Sequence, residues 1–199
     1  MSKPLEYIEW LDLWVTGADR SDLPRLLLVG DSIARSYFGT VEQTFEGRCQ
    51  CARLCTSTCV CDESFNRELS LLLDEYPFAV LHFNNGLHGG GYDLATYRAG
   101  LERTWDFIAT HAPGARCIWA DSTPVRVALH VADLNTKQTE WVVERNRTAA
   151  EVAAARGIPV NDLFTPVLEH PEYFADDGVH YNAAGVAVLG DAVVKAIRG

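Results

Sequence analysis

Arg25-Leu26-Leu27-Leu28-Val29-Gly30-Asp31-Ser32 is an apolar run that stops at a glycine and ends on a hydroxyl. Four consecutive aliphatic residues without polar alternation read as a strand buried on both faces. A helical pattern follows from about residue 33 to 45, which makes a β–α unit. The same alternation continues down the chain. Strands are expected at 49–55, 78–83 and 115–120, with a short fifth at 158–160. Helices are expected at about 63–75, from a cap at Asp93 to His111, and over 135–156, where Gly157 and Pro159 close the last of these. In the C-terminal segment 182–197, Val186, Leu189, Val193 and Ile197 recur at helical spacing. Residues 5–15 are read as an amphipathic helix within an N-terminal helical extension, 1–24, of a single domain spanning 1–199.

Alternating β and α elements with near-continuous apolar strands predict a parallel sheet covered on both faces by helices. Right-handed crossovers put the C-terminal ends of all such strands on one edge, where open α/β sheets bind ligands. Ser32, Asn84 and the segment Asp177-Gly178-Val179-His180 each follow a predicted strand, so they should meet on that edge.

Their chemistry fits one reaction. A serine hydroxyl attacks only as it loses its proton, a neutral imidazole can take that proton, and a carboxylate can hold the imidazole in the required tautomer. Asp177 and His180 are close enough for one loop to present both. Asp176 offers an alternative carboxylate, but the D-x-x-H spacing favours Asp177. Taken alone, Ser32 would read as a helix cap. With the Asp177/His180 pair it reads as a nucleophile. Asp31 is expected to bond backbone groups near the turn, and His82 to be buried. Arg126 either binds an acidic substrate group or is a solvated surface residue.

The order Ser, Asp, His also occurs in α/β-hydrolases, but the pentad Gly30-Asp31-Ser32-Ile33-Ala34 lacks the second glycine of their nucleophile elbow. These residues instead resemble the SGNH (GDSL-type) hydrolases. Gly30-Asp31-Ser32 is similar to that family's first motif and Asp177-x-x-His180 to its last, and the resemblance runs from Leu26 to Ile197. It implies a three-layer α/β/α sandwich on a five-stranded, mainly parallel sheet of flavodoxin-like topology. It also implies esterase or lipase chemistry with Ser32 as nucleophile, His180 as base and Asp177 as orienting acid.

In place of the family's G-x-N-D this chain has Phe83-Asn84-Asn85-Gly86-Leu87-His88-Gly89, which resembles an N-x-G-L-H variant. The resemblance gives an oxyanion hole made of the Ser32 backbone N–H and a side-chain amide. The variant register makes that amide Asn84, and the strict register Asn85. His88 either contacts substrate or packs beside the glycine loop. The family's second-block glycine is missing, since no glycine lies between Cys49 and Phe65. A backbone N–H of Thr56, Ser57 or Thr58 is expected to stand in for it.

Composition narrows the classes. The 199 residues carry a net charge of −10 and are 48% hydrophobic. An acidic surface argues against nucleic acid and anionic membranes, both of which need clustered Lys and Arg. No segment has the apolar length of a membrane span, and residues 1–25 lack the basic and apolar regions of a signal peptide. A cytoplasmic location is the resulting expectation.

Five of six cysteines fall in Cys49-x-Cys51-x₃-Cys55-x₃-Cys59-x-Cys61. The C-x-C steps do not suit a zinc site, disulfides are not expected in a reducing compartment, and Cys49 and Cys51 suit a buried strand. The 55–61 stretch is expected near the active site, with one thiol reactive. No metal or cofactor is called for.

The reading is a metal-independent serine esterase for small acyl esters, acetyl groups on carbohydrate foremost. The absence of an apolar lid segment disfavours long-chain lipids. Two alternatives are an acyltransferase using the same residues and a non-catalytic carbohydrate-binding domain.

Overall fold

The computed structural model describes residues 5–199. Its elements, in order, are β1 (Leu11–Val15), β2 (Arg25–Gly30), α1 (Ser32–Phe45), β3 (Gln50–Thr56), α2 (Ser64–Leu73), β4 (Val80–Phe83), α3 (Leu94–His111) and β5 (Arg116–Ala120). A small hairpin follows, β6 (Arg126–Val127) and β7 (His130–Leu134), then α4 (Thr136–Ala155), β8 (Val160–Asn161), a one-turn α5 (Thr165–Leu168) and α6 (Ala183–Arg198).

Among the described residues the main sheet has six strands in the order β1-β3-β2-β4-β5-β8. All neighbours are parallel except β1, which runs antiparallel to β3. The parallel core from β3 to β8 has the doubly wound, flavodoxin-like order, whose switch point lies between β2 and β4. Alternate residues of β2 serve opposite faces. Leu27 and Val29 pack with α2, α3 and α4 through Phe65, Leu101, Trp105 and Val152. Leu26 and Leu28 pack with α1 and α6 through Tyr37, Val41, Leu189 and Val193. Every residue of β2 is therefore buried, as its unbroken apolar run requires.

Two expectations are corrected. The sheet has a sixth strand beyond the five expected, and that strand is the segment read as a helix over 5–15. Leu11, Leu13 and Val15 alternate at strand spacing as readily as Ile8, Leu11 and Val15 fit a helix, and β3 would otherwise have a bare edge. Pairing it satisfies that ladder, and the Asp12 carboxylate meets the Arg53 guanidinium of β3 at 2.8 Å. Among the described residues no helix is long and apolar enough to cross a membrane.

Candidate active site

Ser32 sits where β2 turns into α1. Asp31 is the helix N-cap, its carboxylate accepting from the Ile33 N–H at 2.9 Å, so the capping role is Asp31's and leaves the serine hydroxyl free for other work. The turn needs Gly30, because a Cβ there would sit 2.5 Å from the Ala34 Cβ. As the first helical residue, Ser32 has no preceding carbonyl within α1 to occupy its backbone N–H.

Ser32 Oγ lies 2.7 Å from His180 Nε2, and His180 Nδ1 lies 2.7 Å from Asp177 Oδ2. The other carboxylate oxygen of Asp177 accepts from the backbone N–H groups of Val179 at 2.9 Å and His180 at 2.8 Å. Burial works to raise the Asp177 pKa. Those two N–H groups and the imidazole outweigh it, so the carboxyl is held below its ordinary value. Asp177, not its neighbour Asp176, meets the imidazole. The side chains of His180 and Asp177 remain 47% and 53% exposed, so the site opens to solvent.

The loop carrying them is pinned on several sides. Phe174 bridges Tyr181, and the Ala175 N–H donates to the His180 carbonyl at 2.8 Å. From the hairpin, the Arg126 N–H donates to the Gly178 carbonyl and the Leu129 N–H to the Asp176 carbonyl, both at 2.7 Å. The Arg126 side chain is buried, neither solvated nor aimed at substrate. Its guanidinium donates to the carbonyls of Val131, Ala132 and Leu168 and lies over the Phe174 ring.

The two asparagines after β4 have different duties. Asn84 Nδ2 donates to the Ala120 carbonyl at 2.8 Å and to Ser122 Oγ at 3.1 Å. Asn85 instead binds the loop after β3, donating to the Thr58 carbonyl at 2.9 Å and accepting from the Val60 N–H at 3.0 Å. In that loop the Ser57 N–H is taken by the Trp10 carbonyl and the Thr58 N–H by Thr56 Oγ1. His82 is buried beside Tyr37, bonded to Asn161, and burial pushes its pKa down to about 3.

Two groups that sequence reasoning missed shape the rim. Arg145 of α4 is fully buried between the Tyr97 and Trp141 rings and donates to the carbonyls of Gly86, His88 and Gly89. Its only sequence signal was an arginine on the inward face of a helix. The second group is a strap before β1. Glu6 bonds His88 Nδ1 at 2.9 Å and the Gly89 N–H at 3.3 Å, while Glu9 bonds Ser57. Trp10 lies edge-on to His88, with the Arg35 guanidinium over its ring. His88 therefore anchors the strap. Among the described residues no cluster of three or more His, Cys, Asp or Glu side chains is placed to hold a metal ion.

Residues 28–188 match the sequence model of the GDSL-like lipase/acylhydrolase family. No curated protein sequence matches the chain. Its fold is similar to that of a GDSL-like lipase from Bacteroides thetaiotaomicron, with a TM-score of 0.67 and 15% identity over 87% of each chain. It is also similar to a carbohydrate acetylesterase family member from Sinorhizobium meliloti, with a TM-score of 0.70 and 15% identity over 88% of this chain and 98% of that one. The aryl esterase of M. smegmatis gives a TM-score of 0.68 and 14% identity over 88% and 98% of the two chains.

Proposed function

Because the chain belongs to the GDSL-like lipase/acylhydrolase family and is by that membership an ester hydrolase, we propose that it releases small acyl groups, acetyl foremost, from alcohols such as carbohydrate hydroxyls, using Ser32, His180 and Asp177. The observation that carries the reading is the unbroken chain of 2.7 Å contacts from the Ser32 hydroxyl through the imidazole to the carboxylate.

Asp177 accepts the Nδ1–H of His180, which leaves Nε2 as the unprotonated nitrogen facing the serine. Ser32 Oγ attacks the acyl carbonyl as its proton passes to Nε2, and Asp177 steadies the imidazolium. The Ser32 N–H donates to the oxyanion. Asn84 would supply a second donor by exchanging one of its internal acceptors for the substrate oxygen; Asn85 serves to hold the 58–60 loop. His180 returns its proton to the departing alcohol. Water, deprotonated by the same imidazole, then frees the acid.

The open rim suits an ester borne on a bulky polar alcohol, in keeping with a carbohydrate acetylesterase among the similar folds. The test is hydrolysis of p-nitrophenyl acetate and a series of longer esters by the wild type and Ser32→Ala. Turnover should decline with acyl length and fall by at least about 10⁴-fold in the variant. A Ser32→Ala protein with wild-type turnover would refute the assignment, and rates that rise with chain length would refute the small-acyl preference.

A further inference from the structure

The loop after β3 carries a feature that ester hydrolysis does not use. Cys59 and Cys61 have their sulfurs 3.2 Å apart, within hydrogen-bonding reach of each other. All six cysteines are free; burial raises the pKa of Cys49, Cys51, Cys55 and Cys117, and the bond to Cys59 together with burial raises that of Cys61. Cys59 is the exception. The Cys61 side chain bonded to it and the charge of the Arg145 guanidinium draw it below the usual thiol range against the opposing effect of its own burial. The Arg145 side chain is fully buried, and among the described residues its hydrogen-bond partners are all neutral carbonyls. The charge of that buried cation favours the thiolate form of Cys59.

We propose that Cys59 and Cys61 are an oxidation site that forms a reversible intrachain disulfide with hydrogen peroxide, and that the disulfide slows ester hydrolysis. The Cys59 thiolate attacks one peroxide oxygen, the O–O bond breaks, and the departing hydroxide is protonated, leaving a sulfenic acid. The Cys61 sulfur then attacks the Cys59 sulfur. An S–S bond forms, and the sulfenic hydroxyl leaves as water with the Cys61 proton. Two thiols and one peroxide thus become one disulfide and two waters. Cys59 is buried and Cys61 partly exposed, so the Cys61 side is the one from which peroxide and the later reductant reach the pair.

The link to the site is geometric. A Cβ at Gly89 would lie 2.7 Å from the Cys59 sulfur, so the β4 loop rests directly on this thiol. Between the two cysteines, the Val60 N–H is held by Asn85 of that same loop. Drawing the sulfurs from 3.2 Å to bonding distance, about 2 Å, strains a loop whose middle residue is tied to Asn85, the neighbour of Asn84.

The experiment exposes the protein to peroxide, counts thiols after denaturation and maps the linked peptides, with ester turnover followed before oxidation, after it and after dithiothreitol. Titratable thiols should fall from six to four, with the link joining Cys59 to Cys61. Turnover should drop by about tenfold or more and return on reduction. Cys61→Ser should keep its basal turnover and form no such disulfide. Six thiols after oxidation, or a link between other cysteines, would overturn the site. A mapped Cys59–Cys61 disulfide with unchanged turnover would overturn its effect on activity. The thiol count does not depend on the hydrolase reading, and labelling of Ser32 by a fluorophosphonate in the reduced protein tests that reading separately.

Discussion

Gly178 holds the acid and the base of the candidate site in register. Its φ of +74° lies in the left-handed region, and a Cβ there would run into the Arg126 carbonyl, the end of the hairpin that grips the loop. Gly178→Ala therefore carries a backbone penalty of about 1–2 kcal/mol and a steric clash, and relieving either one moves Asp177 relative to His180. The expected outcome is a Tm several degrees lower and a kcat reduced at least tenfold with KM little changed. A variant of wild-type kcat would show that the glycine does not position the pair. Asp177→Asn is expected to be harsher, about 10⁴-fold in kcat, because an amide favours the wrong imidazole tautomer. Ser32, Asp177 and His180 were legible in the sequence because three reactive groups of complementary chemistry stood just after predicted strands. Arg126 and Arg145 were not, since a buried arginine whose partners are backbone carbonyls leaves no complementary residue type to find. The choice between Asn84 and Asn85 was hidden for a similar reason: it depends on which amide meets Ala120 and which meets the 58–60 loop.

The strap and β1 form the element that local pattern misread. Ile8, Leu11 and Val15 fit a helical stripe, while Leu11, Leu13 and Val15 fit a strand. The deciding fact, an unpaired edge on β3, lies some forty residues away. Pairing with β3 also brings the chain in at the C-terminal edge of the parallel strands. There Glu6 and Glu9 tie it to the loops after β4 and β3, and Trp10 stands between His88 and Arg35, one helical turn beyond Ser32. This placement, against His88 and Arg35, is the ground for expecting Trp10 to contact the alcohol part of an ester at the serine. Trp10→Ala should raise KM for esters of ring-bearing alcohols by about tenfold, the worth of one lost apolar contact of about 1–2 kcal/mol. It should leave kcat and the hydrolysis of ethyl acetate nearly unchanged. Steady-state kinetics on phenyl and ethyl acetate make the comparison, and a loss confined to kcat would argue against a contact with substrate.

At the scale of the whole molecule, a parallel sheet covered by helices was readable from β–α alternation, and with it the edge where Ser32, Asn84 and His180 gather. The flavodoxin-like strand order came instead from the family resemblance. What alternation cannot convey is how the sheet's interior titrates. His82, in the middle of β4, is fully buried between the sheet and α1, and its pKa is pushed down to about 3 by burial. An unfolded chain takes up a proton on this residue below about pH 6.5, whereas the folded protein does not until about pH 3. Stability from this group is thus fully present above pH 6.5 and is lost as pH falls toward 3, at up to about 1.4 kcal/mol per pH unit. Below pH 6 the wild type should lose stability steeply in urea titrations, and His82→Leu should flatten that slope by about one proton's worth. The variant's absolute stability shifts as well, because Asn161 loses its partner, but that offset does not depend on pH. Equal slopes for the two proteins between pH 6 and 4 would mean that His82 is protonated in the folded state and that acid lability has another source.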